Sequence, residues 1–244
     1  NRLDGMSPST QILTAFDEDP VLTAVANQST IEKSLIEGHA TILINLDTGE
    51  RLPHWVELDS RTDNKGPTIL YIRTIRGLDH NTAYGVGISG LTNSTGDLIS
   101  PSLAFKALIE GDYTDAPDVE LRAASFDNLF VNLESHDYER ENLQAAWEFH
   151  TASTESIVGG MLHMRGDALT RLGDDGIGCN VTSSEDNYGN DNTTFRRVRG
   201  TITTPQYLLN PDEPPSLMSR DSNGTPLFTG YSEVPFTLII PQVL

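Results

Sequence analysis

The feature that most constrains the fold is a series of short segments in which apolar and polar residues alternate. A period of two places successive side chains on opposite faces of a strand, so each segment predicts a β-strand with one buried face. Turn residues separate the segments at intervals of roughly 10–15 residues, a spacing typical of a β-sandwich. In the first half of the chain the predicted strands are 40–46, 54–58, 68–74, 83–88 and 103–108.

An acidic segment at 109–117, with Gly111 and Pro117, divides the sequence into two parts. We therefore predict a mainly β protein with an N-terminal extended segment over 1–28, a β-sandwich over 29–112 and a smaller α+β domain with two helices over 113–244. The predicted elements of this last part are helices at 118–135 and 155–172, strands at 143–150, 195–203 and 234–240, and a long polar surface loop or irregular hairpin at 173–194.

The segment 142–172 joins a strand, a hydroxyl-rich turn and a helix. Ser153 and Thr154 are residues that can cap the helix, and Gly173 is suited to its C-terminal cap. The buried face of the preceding strand is predicted from its alternating residues, which are Leu143, Ala145, Trp147 and Phe149.

Charge excludes two classes of partner. The formal net charge of the 244 residues is -19, and such a surface repels nucleic acid and anionic membranes. No apolar run approaches the ~20 residues of a membrane span, so we expect no membrane insertion. The chain begins at Asn1 and contains no signal peptide, so we expect it to be processed or to be part of a longer protein.

The cysteine content and the N-x-S/T sequons are the features that relate to the cellular compartment of the protein. The single cysteine, Cys179, cannot form an internal disulfide or a cysteine-based metal site within one chain. Five N-x-S/T sequons occur. Two explanations stay open: the sequons arise by chance in a chain rich in Asn, Ser and Thr, or they are glycosylated. Glycans would place the protein outside the cell and the modified residues on its surface. The candidate asparagines are Asn27, Asn93, Asn180, Asn192 and Asn223.

No catalytic constellation is evident in the sequence. The nearest approach to a G-x-S-x-G nucleophile elbow surrounds Ser89 and lacks the last glycine. Glu57 and Asp59 could form a glycosidase-like pair only if a cleft lay beside them, and an exposed strand face is the simpler interpretation. The histidines show no metal-binding spacing, and they are His39, His54, His80, His136, His150 and His163.

Two further features could bind a ligand or a partner. The acidic loops 17–19, 174–175 and 185–191 could hold Ca²⁺, although none has the ligand order of an EF-hand, so we predict no cofactor. Arg196, Arg197 and Arg199 form the only basic cluster, and either they pair with surface carboxylates or they contact an acidic neighbouring domain. The loop that carries Tyr188 is a second candidate contact.

Four stretches of the chain resemble the N-terminal region of large secreted bacterial proteins that end in a lipase-like α/β-hydrolase domain. Residues 1–16 resemble an "LDGFSP…IL" segment, and 49–59 resemble a "G-E-R-x-P-x-W-x-E-L-D" hairpin. Residues 142–167 resemble a "D-L-x-x-A-W-D-F-x-T-A-S" strand and the "M-L-x-M-R-D-D-A" helix that follows it. Residues 197–208 are similar to the next strand of those proteins.

The first domain is also similar to the bacterial Ig-like domains of surface-layer and adhesin-type proteins, through the strand 68–74 and the "L-x-x-x-T-x-Y-x-V" stretch at 78–86. Met6 departs from the usual Phe of the lipase-like proteins, and Glu148 from the usual Asp. The resemblance implies that the hydrolase elbow and its triad would follow Leu244, so it assigns no catalytic residue to this chain.

The resemblance implies an accessory region of a secreted or cell-surface lipase- or esterase-like protein, with an Ig-like first domain. Its expected partner is the protein's own C-terminal domain. The alternative is a structural subunit of an extracellular fibre or surface layer, assembled from copies of itself through Ig-like domains. A third alternative is a carbohydrate-binding module that uses Trp55 or Trp147, although we expect both rings in the core.

Overall fold

The protein consists of two compact units that divide between Thr154 and Glu155. The computed structural model describes residues 3–60, 66–114, 117–190 and 193–242. The fold is mainly β, as predicted, with three antiparallel three-stranded sheets and three α-helices within the described residues. None of the helices in these ranges is long and apolar enough to cross a membrane.

The first unit contains two of the sheets and two of the helices. Its sheets have the strand orders β1-β4-β3 and β2-β5-β6, and every pairing is antiparallel. In chain order, the elements are β1 (Ile12–Phe16), β2 (Thr41–Asn45), β3 (His54–Leu58), β4 (Thr68–Thr74), β5 (Ala83–Ser89), α1 (Leu103–Glu110), α2 (Ala123–Glu134) and β6 (Leu143–His150).

The sheet β2-β5-β6 is covered on both faces. Leu43 on β2 belongs to a core cluster that also takes Val56, Leu70 and Ile72 from the other sheet. Ile42, on the opposite face of β2, belongs to a second cluster formed with α1 and α2. Every residue of β2 is therefore buried, which explains its nearly continuous apolar sequence.

Two glycines let helix α2 pack closely on this sheet. A β-carbon at Gly85 would lie 2.9 Å from the side chain of Leu129, and one at Gly87 would lie 3.1 Å from Leu133. Both leucines are almost fully buried. The A-Y-G-V-G-I sequence of β5 thus supplies large side chains to one face and space for leucines on the other.

A β-bulge in β6 changes which side chains face which core. The register passes from Ile88–Ala145 to Ser89–Leu143, so Gln144 is the extra residue. Ala145 packs with Trp147 and Phe149 against the core between the sheets, whereas Leu143 belongs to the helix-facing core. Ala145, Trp147 and Phe149 thus share one face as predicted, and the bulge accounts for Leu143. The prediction of a single buried face is wrong, because Ala146 on the opposite face is buried in the helix-facing core.

The Gln144 carboxamide also holds the chain that follows β5. Its Oε1 accepts from the Leu91 amide at 2.7 Å, and its Nε2 donates to the carbonyls of Leu91 and Ile99 at 2.7 Å each. Because Gln144 is buried, these hydrogen bonds satisfy groups that water does not reach.

Three predictions for the first unit need correction. Residues 103–110 form helix α1 instead of a strand, because the Ser102 hydroxyl accepts from the Phe105 amide and Gly111 ends the helix with a φ of 70°. The segment 1–28 contributes strand β1, which pairs with β4. The boundary predicted near residue 112 lies inside the first unit, because β6 pairs with β5 and both helices pack on that sheet.

The second unit combines one helix with the third sheet, in the order β7-β8-β9. A π-helical turn, Glu155–Gly159, leads into the helix. The segment 173–194, predicted as a long surface loop or an irregular hairpin, contains strand β7, which forms an irregular hairpin with β8. The residues of β7 are mostly polar and exposed, so the alternation did not give its bounds. The elements are α3 (Gly160–Leu172), β7 (Cys179–Asp186), β8 (Thr194–Gln206) and β9 (Gly230–Pro241).

Substitution of Leu133 by Ala tests the packing of α2 on the sheet. We expect the free energy of unfolding of the first unit to fall by about 2–5 kcal/mol, because the change leaves a cavity at a fully buried site. Urea unfolding followed by tryptophan fluorescence measures this, since both tryptophans, Trp55 and Trp147, lie in this unit.

Leu121→Ala is the matched control, because Leu121 is 92% exposed and its loss should change the free energy by less than about 0.5 kcal/mol. Equal effects of the two substitutions would contradict the helix-facing core described above.

Candidate functional site

One face of the sheet in the second unit is apolar and open. The β8–β9 register pairs Ile202 with Val234 and Val198 with Leu238, and the β7–β8 register places Val181 beside Gly200 on the same face. Phe236 and Ile240 continue this face along β9. We call it the apolar sheet face, and its members are Val181, Val198, Ile202, Val234, Phe236, Leu238 and Ile240.

The side chains of this face are accessible to solvent. Val181 is 54% exposed, Ile202 40%, Val234 42% and Leu238 51%. Within the described part of the second unit the buried residues are few, namely Gly159, Gly200, Tyr207 and Pro226. The sheet therefore presents its apolar face without the covering layer that a domain core normally supplies.

Gly200 sets the shape of the apolar sheet face. A β-carbon at this position would lie 2.8 Å from the Phe236 ring and 2.3 Å from the Asn180 carbonyl oxygen. The ring therefore lies across the strand over the glycine backbone, half-buried, between the side chains of Val234 and Leu238. A larger residue at 200 would displace both the ring and the neighbouring strand β7.

The predicted arginine cluster lies on β8, and two of its members pair across the strand with β7. Arg196 donates to Asp186 at 2.6 Å, and Arg197 donates to both carboxylate oxygens of Glu185 at 2.8 Å. These acids are the direct register partners of the two arginines. The alternative that the cluster pairs with surface carboxylates therefore holds for Arg196 and Arg197, whereas Arg199 is exposed on the face opposite the apolar one.

Tyr188 lies beside the same pairs. The Arg197 guanidinium is 3.5 Å from the centroid of the Tyr188 ring, a cation–π contact. Tyr188 is 41% exposed, so its ring covers the arginine and still reaches solvent. The structure thus brings Arg197 and Tyr188 together, whereas Arg196 lies on the other face of the sheet, where its register partner on β9 is Ile240.

Helix α3 is attached to β8 by a polar cluster. The Tyr207 hydroxyl donates to the Asp167 carboxylate at 2.7 Å, and Arg171 donates to the same oxygen at 2.8 Å. Arg171 also stacks on Phe228 at 3.6 Å. Burial and the adjacent Asp167 carboxylate raise the pKa of Tyr207 to about 12, and the hydrogen bonds from Arg171 and Tyr207 lower the pKa of Asp167.

The residues considered for catalysis are engaged in structural contacts. Ser89 ends β5, and its hydroxyl donates to the Asn142 carbonyl at 2.9 Å. Glu57 forms an ion pair with Arg73 and accepts from the Trp55 indole at 3.4 Å. Within the described ranges no three His, Cys, Asp or Glu side chains converge as a metal site. The acidic loop at 185–191, which was considered for Ca²⁺, lies partly outside those ranges.

The sequon asparagines differ in accessibility. Asn27, Asn180 and Asn223 are exposed, and Asn192 lies outside the described residues. Asn93 is half-buried, and its side-chain amide donates to Glu18 at 2.7 Å. Cys179 is exposed at the start of β7. Neither tryptophan is fully exposed, and Trp147 packs against the core between the two sheets.

Sequence reasoning missed one pair of residues. His39 and His54 are distant in sequence, yet their ring centroids lie 5.9 Å apart in the interior of the first unit. No local sequence pattern marks this pair, because it is the turn of the chain between β2 and β3 that brings the two rings together. The alternation that predicted these strands gave no indication that either ring would be buried.

Substitution of Leu238 by Ser tests the exposure of the apolar sheet face. We expect the fluorescence of an apolar dye such as anilinonaphthalene sulfonate to fall by about half, because the central side chain of an apolar patch is removed.

Ile239→Ser is the matched control, since Ile239 is 48% exposed, adjacent in sequence and on the opposite face, where its register partner is Arg197. Its dye binding should stay near that of the parent chain. Equal losses in both variants would contradict the assignment of the two faces.

Comparison of the chain with models of known protein families finds no match, and comparison with curated protein sequences finds no similar protein. The resemblance to the N-terminal region of lipase-like secreted proteins therefore stays a prediction that rests on the motifs given above.

Proposed function

We propose that this chain is a non-catalytic accessory region of a secreted or cell-surface lipase- or esterase-like protein, and that the apolar sheet face binds a further domain of the same polypeptide. The observation that carries the proposal is a β-sheet whose apolar side chains are exposed and, within the described part of its own unit, uncovered, while the first unit has two well-filled cores. A surface of this kind is typical of an interaction site.

A domain of the same polypeptide is a better occupant than a second copy, for two reasons. The area of the patch is on the order of a few hundred Å², less than the ~800 Å² per partner of a standard interface between free proteins. Tethering compensates for a small contact because it raises the effective concentration to the millimolar range. Two copies, each with a net charge of -19, would also repel each other.

We also infer that the first unit is an Ig-like sandwich. Its orders β1-β4-β3 and β2-β5-β6 correspond to the B-E-D and C-F-G strands of immunoglobulin domains, taken in the same chain order. Helices α1 and α2 would then be an insertion between strands F and G. Ig-like domains are frequent in secreted and surface proteins, and the exposed sequons at Asn27, Asn180 and Asn223 support the same location.

A second candidate function is a subunit of an extracellular fibre or surface layer. Strand β9 favours it, because β9 is a 12-residue edge strand in which Glu233 is the only charged residue. Such an edge can pair with the edge of another chain. Light scattering at rising protein concentration separates the two functions: growth of the particle supports the fibre, and a constant monomer mass supports the accessory region.

The accessory role has a direct test in the protein isolated from its source. We expect intact mass and terminal sequencing to show a polypeptide that continues into a hydrolase domain, and the present chain alone to release no p-nitrophenol from p-nitrophenyl butyrate above the buffer rate. Turnover by the present chain, or a source protein that lacks a further domain, would refute the proposal.

The docking surface is tested in the full polypeptide with two lysine variants. Leu238→Lys places a charge in the apolar sheet face, and we expect limited proteolysis to cut the junction with the next domain at least several times faster than in the parent. Ile239→Lys places the same charge on the opposite face and should leave the rate unchanged. Equal rates in the two variants would exclude this face as the contact.

A further inference from the structure

A buried polar cluster in the first unit connects the 3₁₀ turn Ile31–Leu35 with strands β2 and β3. His54 is fully buried and His39 is 9% exposed. The Thr41 hydroxyl lies 2.8 Å from Nε2 of His54, and the Ser34 hydroxyl accepts from the His54 amide at 3.0 Å. The Tyr138 hydroxyl closes the cluster through hydrogen bonds to the carbonyls of His39 and Thr41.

The partners of His39 define its neutral form. The Ala26 amide donates to Nε2 at 2.8 Å, so this nitrogen is an acceptor and carries no hydrogen. The other nitrogen, Nδ1, lies 2.8 Å from the Thr41 carbonyl oxygen, which only accepts, and 3.2 Å from the Thr41 amide. Because Nε2 carries no hydrogen and the carbonyl contact is the shorter one, the hydrogen of the neutral ring is on Nδ1. Both ring nitrogens are therefore in use by the uncharged imidazole.

The same reasoning applies to His54. Nδ1 lies 2.9 Å from the Leu52 carbonyl oxygen and must donate to it. Nε2 therefore accepts from the Thr41 hydroxyl. A second proton on His54 would sit on Nε2 and remove the acceptor of the Thr41 hydroxyl. A second proton on His39 would place an Nε2–H donor against the Ala26 amide, which is also a donor.

The charges around the cluster disfavour a proton on either ring. Burial lowers the pKa of His54 from 6.5 to about 4, the hydrogen bond to Leu52 opposes this shift, and the adjacent His39 and Arg51 add to it. Burial also lowers the pKa of His39, opposed by the Thr41 carbonyl and aided by Arg51. Tyr138 is neutral, because burial raises its pKa to about 12. No carboxylate among the described residues offsets these effects.

We propose that His39 and His54 form an acid-sensitive lock: the His39 ring holds the backbone at Ala26, the His54 ring joins β3 to Thr41 on β2, and these contacts open when either ring gains a proton. Arg51 adds to the acid sensitivity, because its fixed positive charge disfavours a proton on either imidazole. Its guanidinium also donates to the carbonyls of Ser34 and Ile36 at 3.2 and 3.0 Å, so it holds the turn Ile31–Leu35 whatever the charge of the imidazoles. The lock is independent of the proposed docking surface.

The direction of the effect follows from linkage between protonation and folding. In the folded unit His54 titrates near 4, below its ordinary value of 6.5, so its contribution to stability is complete above pH 6.5. The contribution is lost as the pH falls from 6.5 towards 4. Over that window the opening equilibrium constant rises by roughly 80-fold, approaching tenfold per pH unit in its middle for one group.

Hydrogen exchange on the parent chain tests the lock. After correction for the intrinsic pH dependence of exchange, we expect the protection of the Ala26 amide to fall at least about tenfold between pH 7 and pH 5. The Leu91 amide is the internal reference, because it donates to the neutral Gln144 carboxamide at 2.7 Å. Its protection should change less than about twofold over the same range.

Two substitutions complete the test. His39→Gln keeps an acceptor near the Ala26 amide and cannot gain a proton, so it should reduce the acid-induced loss of protection. His80→Gln removes an exposed histidine and should leave the parent behaviour intact. If His39→Gln does not fold, nuclear magnetic resonance titration of the parent imidazoles replaces it. Titration midpoints at or above 6.5, or equal losses at Ala26 and Leu91, would overturn the proposal.

Discussion

The requirement that an apolar sheet face be covered determines most of this structure. In the first unit the sheet β2-β5-β6 meets it on both sides, through the second sheet and through helices α1 and α2. In the second unit the sheet β7-β8-β9 leaves its apolar side open. The same physical demand is met by a filled interior in one unit, and in the other it leaves an exposed apolar surface that we propose to be an interaction site.

The alternation of apolar and polar residues was sufficient to locate strands β2, β3, β4 and β5. Strands β3 and β4 have the predicted bounds, and β2 and β5 differ from them by one or two residues. In these strands, apolar residues and the turn residues that bound them agree with the final fold. Gly49, in the turn between β2 and β3, has a φ of 72°, a conformation that glycine adopts readily.

The failures occurred where distant parts of the chain decide the outcome. Residues 103–108 are apolar enough for a strand, but the cap at Ser102 and the contact of Phe105 with Phe130 stabilise a helix. Strand β7 is stabilised by pairing with β8, which its own polar sequence does not reveal. Likewise, the sequence separation of His39 and His54 says nothing of their proximity. The apolar sheet face needed the β8–β9 register before its members could be recognised as neighbours.

The placement of α1 and α2 between β5 and β6 has a consequence for biosynthesis. The inner strand β5 leaves the ribosome well before its partner β6, with the whole chain from Gly90 to Asn142 in between. At translation rates of ~5–20 residues per second, the gap lasts roughly 3–10 s. During this interval the edge of β5 that will pair with β6 is unpaired. Helices α1 and α2 emerge before β6, so they cover one face of the nascent sheet while this edge awaits its final strand.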